Sequence, residues 1–251
     1  MKFRKQSIKE LLDNGSNFKS IIFIFIFVFQ SVILFSQDEI PDSLIDERIK
    51  YIQNILNQGQ PNANRWWYGW LAGYSAATIG QGAICLSSND KGTRQDMALG
   101  AATTLLGAAG QLLSPMVPGY APDQLMQIPE DTHEARLQKL NNAEELLKAS
   151  ALREKSGRSW QVHAISSAVN LTSGLITWLG FRRNVWAGVE NFALNSVITE
   201  AQIWTQPTRA MKDYQNYCQR FKSGENPISL KSDLSWFVSV APGGIKVKIV
   251  F

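Results

Sequence analysis

Residues 66–89 carry no charged side chain, and neither do residues 97–122. Few folds accept two uncharged runs of that length in succession. A bilayer crossing needs about 20 largely apolar residues. Inside these runs the small and polar residues are ordered. Gly69, Gly73, Ala76, Gly80 and Ala83 recur every three or four positions. So do Gly100, Thr103, Gly107, Gln111 and Ser114 in the second run. That spacing keeps each set on one helical face. A helix of a soluble protein carries an apolar stripe on a polar background. Here the background is apolar and the stripe is small or polar, the pattern of packed membrane helices. Gly69, Gly73, Gly80 and Gly107 are therefore the expected helix-packing residues.

A second segment repeats the outline. His163, Ser167, Asn170, Gly174 and Thr177 form one stripe, and Gly188, Asn191, Asn195, Thr199 and Gln202 another. A turn at Phe181-Arg182-Arg183-Asn184 separates them, as Asn89-Asp90-Lys91-Gly92 separates the first pair. Each hairpin is preceded by an amphipathic stretch. Residues 43–58 place Ile45, Ile49, Ile52 and Leu56 at helical spacing, and residues 132–155 place Leu137, Leu140, Leu147 and Ala151. The expected fold class is mainly α: a duplicated helix-plus-helical-hairpin bundle, membrane-embedded, with a short C-terminal β-hairpin. Each unit reads helix, helix, turn, helix. The expected divisions are a signal peptide at 1–36, a first repeat unit at 37–129, a second at 130–207 and a tail at 208–251. The alternative is that the second hairpin forms the core of a water-soluble bundle, because Glu190 and Glu200 lie inside its second helix.

Export is read from the N-terminus. Residues 20–36 are uncharged and dominated by Ile, Phe and Val, a basic stretch precedes them, and SQDEIPDS follows. That order of charge and apolarity describes a secretory signal, with Ser36 at the cut; an uncleaved anchor is the alternative. Residues 1–36 hold five Lys/Arg against two acids, leaving 20 Lys/Arg and 19 Asp/Glu for the rest. The basic excess thus belongs to the leader, and no basic face for nucleic acid is expected. Export places Cys85 and Cys218 where a disulfide can form; one bridge and two separate buried thiols both remain open.

The tail changes character. Met211, Tyr214, Tyr217 and Phe221 mark one side of a basic amphipathic helix over 208–222. Gly224, Asn226 and Pro227 then break the chain. Ile245, Val247, Ile249 and Phe251 alternate with Lys246, Lys248 and Val250, the period of a strand. This ending resembles the closing strand of bacterial outer-membrane barrels, and the chain as a whole resembles a bacterial envelope protein. A barrel needs eight or more strands, and the tail offers two, so the barrel fold is not implied. An outer-membrane sorting role, pairing with a partner's sheet edge and packing on the bundle are its alternatives.

Sequence patterns of phosphate-binding loops, zinc proteases and serine hydrolases are absent. His133 lies in Glu130-Asp131-Thr132-His133-Glu134, where acids suit a helix start, and no metal or cofactor is expected. The polar stripe of the second unit is the candidate ligand site: His163, Asn170, Asn191 and Asn195, with Glu190 and Glu200 on adjoining angles. The two acids are ten residues apart, about 15 Å along a helix, too far for a paired acid and base. The expected function is a non-enzymatic envelope membrane protein, a scaffold or component of a larger assembly, with membrane lipid and an envelope protein as partners. Its expected place is a cell-envelope membrane, the outer membrane included. The alternative is a periplasmic helical binding module or enzyme that uses the stripe.

Overall fold

The computed structural model describes residues 40–222 with their side chains and the backbone of two later segments, 235–241 and 244–250. The fold is mainly helical. Its helices are α1 (Asp42–Ser87), α2 (Lys91–Leu113), α3 (Val117–Met126), α4 (His133–Ser156), α5 (Trp160–Leu175), α6 (Val185–Thr205) and α7 (Arg209–Phe221). The last turn of α5 widens into a π-helical turn, Ile176–Gly180.

The first half of α1 joins α3, α4 and α7 in a four-helix head. Its core is assembled from the amphipathic faces: Ile45, Ile49, Ile52 and Leu56 of α1, Leu125 of α3, Leu140 and Leu147 of α4, and Tyr217 of α7. Burying such side chains contributes about 1.5–3 kcal/mol each. Polar caps fix the helix starts. The Thr132 hydroxyl accepts the Ala135 amide at 3.1 Å. His133 and Arg136 both bind the Asp42 carboxylate, which ties the start of α4 to the start of α1.

One partly buried network locks α7 to the head. Arg48 Nε donates to the Tyr217 hydroxyl at 2.8 Å. Glu144 receives that hydroxyl, the Arg48 guanidinium, and Lys222 at 2.9 Å. Burial, and the acceptance of its proton by Glu144, push the Tyr217 phenol above its ordinary value. Tyr217→Phe strands the Arg48 donor and one lone pair of Glu144. A loss of about 1–2 kcal/mol in thermal or denaturant unfolding is expected.

The sequence pattern separates residues 43–58 from the uncharged run at 66–89, but α1 runs from the first into the second as one helix of 46 residues. Pro61 lies inside it, where proline normally costs about 3 kcal/mol. The break is prevented by anchoring on either side of the proline. Gln60 and Asn64 each donate to the Gly119 carbonyl of α3, at 3.2 and 3.3 Å, and Ala63 is buried. In the second segment the corresponding junction does break, at Gly157-Arg158-Ser159 between α4 and α5.

Beyond the head, the second half of α1 pairs with α2, and α5 with α6. The starts of α2 and α6 are capped alike: Asp90 accepts the Thr93 amide at 2.6 Å and Asn184 the Ala187 amide at 2.8 Å. Arg183 joins the two turns. It donates to the Gly92 carbonyl at 2.9 Å and pairs with Asp96 at 3.1 Å.

These hairpins reverse the polarity of the head. Gln111, Asn170, Ser173 and Thr177 are buried, while Ile79, Leu86, Leu106, Leu113, Leu179 and Leu194 are exposed. Leu113 shows 83% of its surface and its near neighbour Gln111 only 3%.

The tail backbone contains β1 (Ser235–Ala241) and β2 (Gly244–Val250), antiparallel, with Ser235 opposite Val250 and Ala241 opposite Gly244. The leader at 1–36, the breakers Gly224, Asn226 and Pro227, and Phe251 lie outside the described residues. Cys85 and Cys218 are both free thiols, Cys218 within the head core.

Candidate functional site

Most of the stripe of the second hairpin lies at the interface of α5 and α6, although Ser167 is exposed and Gln202 turns to the first hairpin. Asn170 donates to the Thr199 hydroxyl at 2.9 Å and is 3.4 Å from that of Ser196. Asn191 Oδ1 accepts from Ser173 at 2.6 Å and from Asn195 at 3.0 Å. His163 Nδ1 lies 2.9 Å from Glu200, and Trp204 donates to the other oxygen of Glu200 at 2.9 Å. Five of the six candidate residues thus bond within the hairpin. Glu190 does not join them: it is exposed on the outer side of α6.

The chemistry of this seam is mutual satisfaction. Each amide or hydroxyl removed from water must find a partner or cost about 1–3 kcal/mol. Here the partners are other residues of the same hairpin, some on the stripes and some beside them, not groups aimed at an open space. Asn191→Leu removes the acceptor shared by Ser173 and Asn195. It is expected to lower stability by about 2 kcal/mol in thermal unfolding.

The glycines divide. A side chain at Gly107 would meet the Tyr74 ring at 2.8 Å, and one at Gly100 would meet Gln81 at 2.7 Å. Gly107 therefore permits close packing of α2 on α1. Gly69, Gly73 and Gly80 have nothing within 4 Å of a Cβ and face outward. Their expected packing role within the chain is corrected. The inner face of α1 is instead made by Tyr74, Thr78 and Gln81, which engage α2 or its partner hairpin. The glycine spacing is regular on either face of a helix, so spacing alone selected the wrong one.

A second polar network joins the hairpins and was not singled out from the sequence. Gln202 of α6 donates to Gln111 of α2 at 2.9 Å and accepts from the Tyr74 hydroxyl at 2.8 Å. Gln111 donates to the Trp67 carbonyl at 3.2 Å and accepts the Trp67 indole at 2.9 Å on its own carbonyl. Trp66 and Trp70 both reach Thr205 at 3.2 Å. The signal was present: Gln111 and Gln202 are the largest amides of their stripes.

Open volume occurs elsewhere, where head and hairpins meet. A cleft of about 740 Å³ is lined by the buried Ile55, Leu56 and Leu147 and by the exposed Arg65, Arg209 and Lys212. Glu154 borders it and is 1% exposed. Its carboxylate accepts the Met211 amide at 3.2 Å, at the N-terminus of α7. Burial pushes the Glu154 carboxyl up to about 7, against the lowering effect of the Met211 and Ala210 amides. Among the described residues no cluster of three His, Cys, Asp or Glu is placed to hold a metal ion. No protein-family model, curated protein or solved structure matches the chain significantly.

Proposed function

We propose that this chain is an exported bacterial envelope membrane protein without catalytic activity, a scaffold or component of a larger membrane assembly. Two helical hairpins enter the bilayer and the four-helix head stands in water. The observation that carries this reading is the opposed polarity of head and hairpins. The head buries Ile and Leu and exposes charge. The hairpins bury Asn, Gln, Ser and Thr and expose Ile, Leu, Val and Trp. Exposed apolar surface on that scale has to be covered, and lipid covers all sides of a hairpin pair at once.

Length supports the reading. α2 has 23 residues and α6 has 21, or about 32–35 Å at 1.5 Å per residue, against a hydrocarbon core of about 30 Å. Among the described residues, only Lys91–Met126 is long and apolar enough by mean hydropathy to cross alone. The other hairpin helices carry more polar residues, many of which face inward, so the lipid side is predominantly apolar, with Glu190, Ser167 and Thr172 among its exposed exceptions. Glu200 is paired with His163 and Trp204 toward the head end of α6, and Glu190, in its second turn, stands about 7.5 Å from the opposite end at 1.5 Å per residue. Neither acid stands at the middle of the span, where its cost is greatest.

We also read the body as a duplication. The order of a long amphipathic segment, a hairpin and a short head helix occurs in α1–α3 and again in α4–α7. On this reading the second unit includes α7.

The test is extraction of native envelope with carbonate and with detergent. The chain is expected to stay with membranes in carbonate, to float with lipid, and to need detergent for solution. A monodisperse protein recovered without detergent would refute the bilayer reading. For the leader, N-terminal sequencing of the exported protein is expected to begin near Gln37; a retained Met1 would make residues 20–36 an anchor.

A further inference from the structure

We infer that the cleft between head and hairpins binds the phosphate group of an anionic phospholipid. The inference rests on the bilayer reading above, because that reading sets the cleft at the level of the lipid headgroups. Three features of the cleft specify the ligand. Its floor is apolar: Ile55, Leu56 and Leu147 belong to the head core. Its rim is cationic, with Arg65, Arg209 and Lys212. Its side is aromatic, with Trp66, whose indole is held by the Gln202 carbonyl at 3.2 Å.

The charges do not cancel within the cleft. Asp213 pairs with Arg209 at 3.0 Å. Glu154 points its carboxylate into the amides of α7. Among the described residues neither Arg65 nor Lys212 forms an ion pair, and both are exposed. Two uncommitted cations over an apolar floor fit an anion that carries a hydrocarbon tail. A soluble phosphate would use the rim and leave the floor bare. Basic groups near a bilayer surface attract anionic lipid by about 1 kcal/mol each, and a shaped cleft adds the contact of the tail.

The test measures binding of labelled phosphatidylglycerol to the full chain in detergent, with phosphatidylcholine as competitor. Arg65→Gln with Lys212→Gln is expected to weaken binding about tenfold or more. Lys91→Gln with Arg94→Gln removes the same charge at the hairpin turn and is expected to leave binding unchanged. The charge-preserving pair Arg65→Lys, Lys212→Arg is expected to retain binding, which a folding defect would not mimic. Equal binding by all variants, or equal loss at cleft and turn, overturns the site. Displacement by glycerol 3-phosphate as effective as displacement by the lipid overturns the lipid assignment. A chain that is soluble without detergent sinks the bilayer reading and this inference together. A chain that needs detergent, but whose variants bind alike, sinks this inference alone.

Discussion

Gly174→Leu is expected to unfold the second hairpin, while Gly73→Leu leaves the protein at least as stable as the parent. The two glycines lie in hairpin helices of similar composition, and only their surroundings differ. A Cβ on Gly174 would stand 2.7 Å from the Gly188 carbonyl oxygen and 3.1 Å from the Phe192 Cβ. The reverse holds at Gly188, whose Cβ would stand 2.7 Å from the Gly174 carbonyl. Two backbones touch at this crossing, so relief requires moving a helix and not a side chain. Overpacking a well-packed site costs about 1–3 kcal/mol; against backbone, about 3 kcal/mol or more is expected. Separation of α5 from α6 would also expose the amides of Asn170, Asn191 and Asn195, which adds to the loss. Gly73 has nothing within 4 Å. Replacing a helical glycine there gains up to about 1 kcal/mol from propensity. Thermal unfolding and limited proteolysis in detergent measure both variants. Equal damage from the two, or tolerance of Gly174→Leu, would show that the α5–α6 crossing is not where the structure puts it.

Much of the helical plan is legible in the residues. The head follows from apolar periodicity, because Ile45, Ile49, Ile52 and Leu56 can only be buried together on one face. The turns follow from charged or capping residues such as Asp90 and Asn184, whose side chains accept helix-start amides. The seam of the second hairpin is legible for a related reason. Asn170, Asn191 and Asn195 are too polar to face outward from an apolar helix without cost, so their positions define the inner face. The first hairpin is harder, because glycine and alanine are acceptable on either side of a helix. Its inner face is decided by Tyr74, Thr78 and Gln81, which have polar groups to satisfy, and the small residues take what is left. The junction at Pro61 is illegible for a third reason. Its helical path depends on Gln60 and Asn64 reaching the Gly119 carbonyl, more than 50 residues away along the chain. The cleft is illegible on the same ground. It draws Arg65 from α1 and Lys212 from α7, and no local spacing relates them.

Stability is expected to fall as pH rises from 5 to 8, and Glu154→Gln is expected to remove most of that fall. Glu154 lies at the base of the head, 1% exposed, with its carboxyl raised to about 7 by burial. The unfolded chain ionises the same carboxyl near 4.5. Between these values the folded state holds a proton that the unfolded state has released. Stability therefore declines with pH over that interval. Below it both states are protonated, and above it both are ionised, so the contribution is constant on either side. The gap from 4.5 to about 7 corresponds to about 3 kcal/mol between the two plateaus. The Met211 and Ala210 amides and the Arg158 charge favour the ionised form, while Asp213 opposes it. Burial outweighs the favourable contacts. Glutamine keeps the volume and an acceptor oxygen for the Met211 amide, but it has no proton to lose. The variant should match the parent near pH 5 and exceed it by about 2–3 kcal/mol at pH 8. Other groups in the head titrate in both proteins, so the difference between the two denaturation curves isolates Glu154. A parent and variant with parallel pH profiles would show that Glu154 is already ionised in the folded head. The amides at the start of α7 would then outweigh its burial.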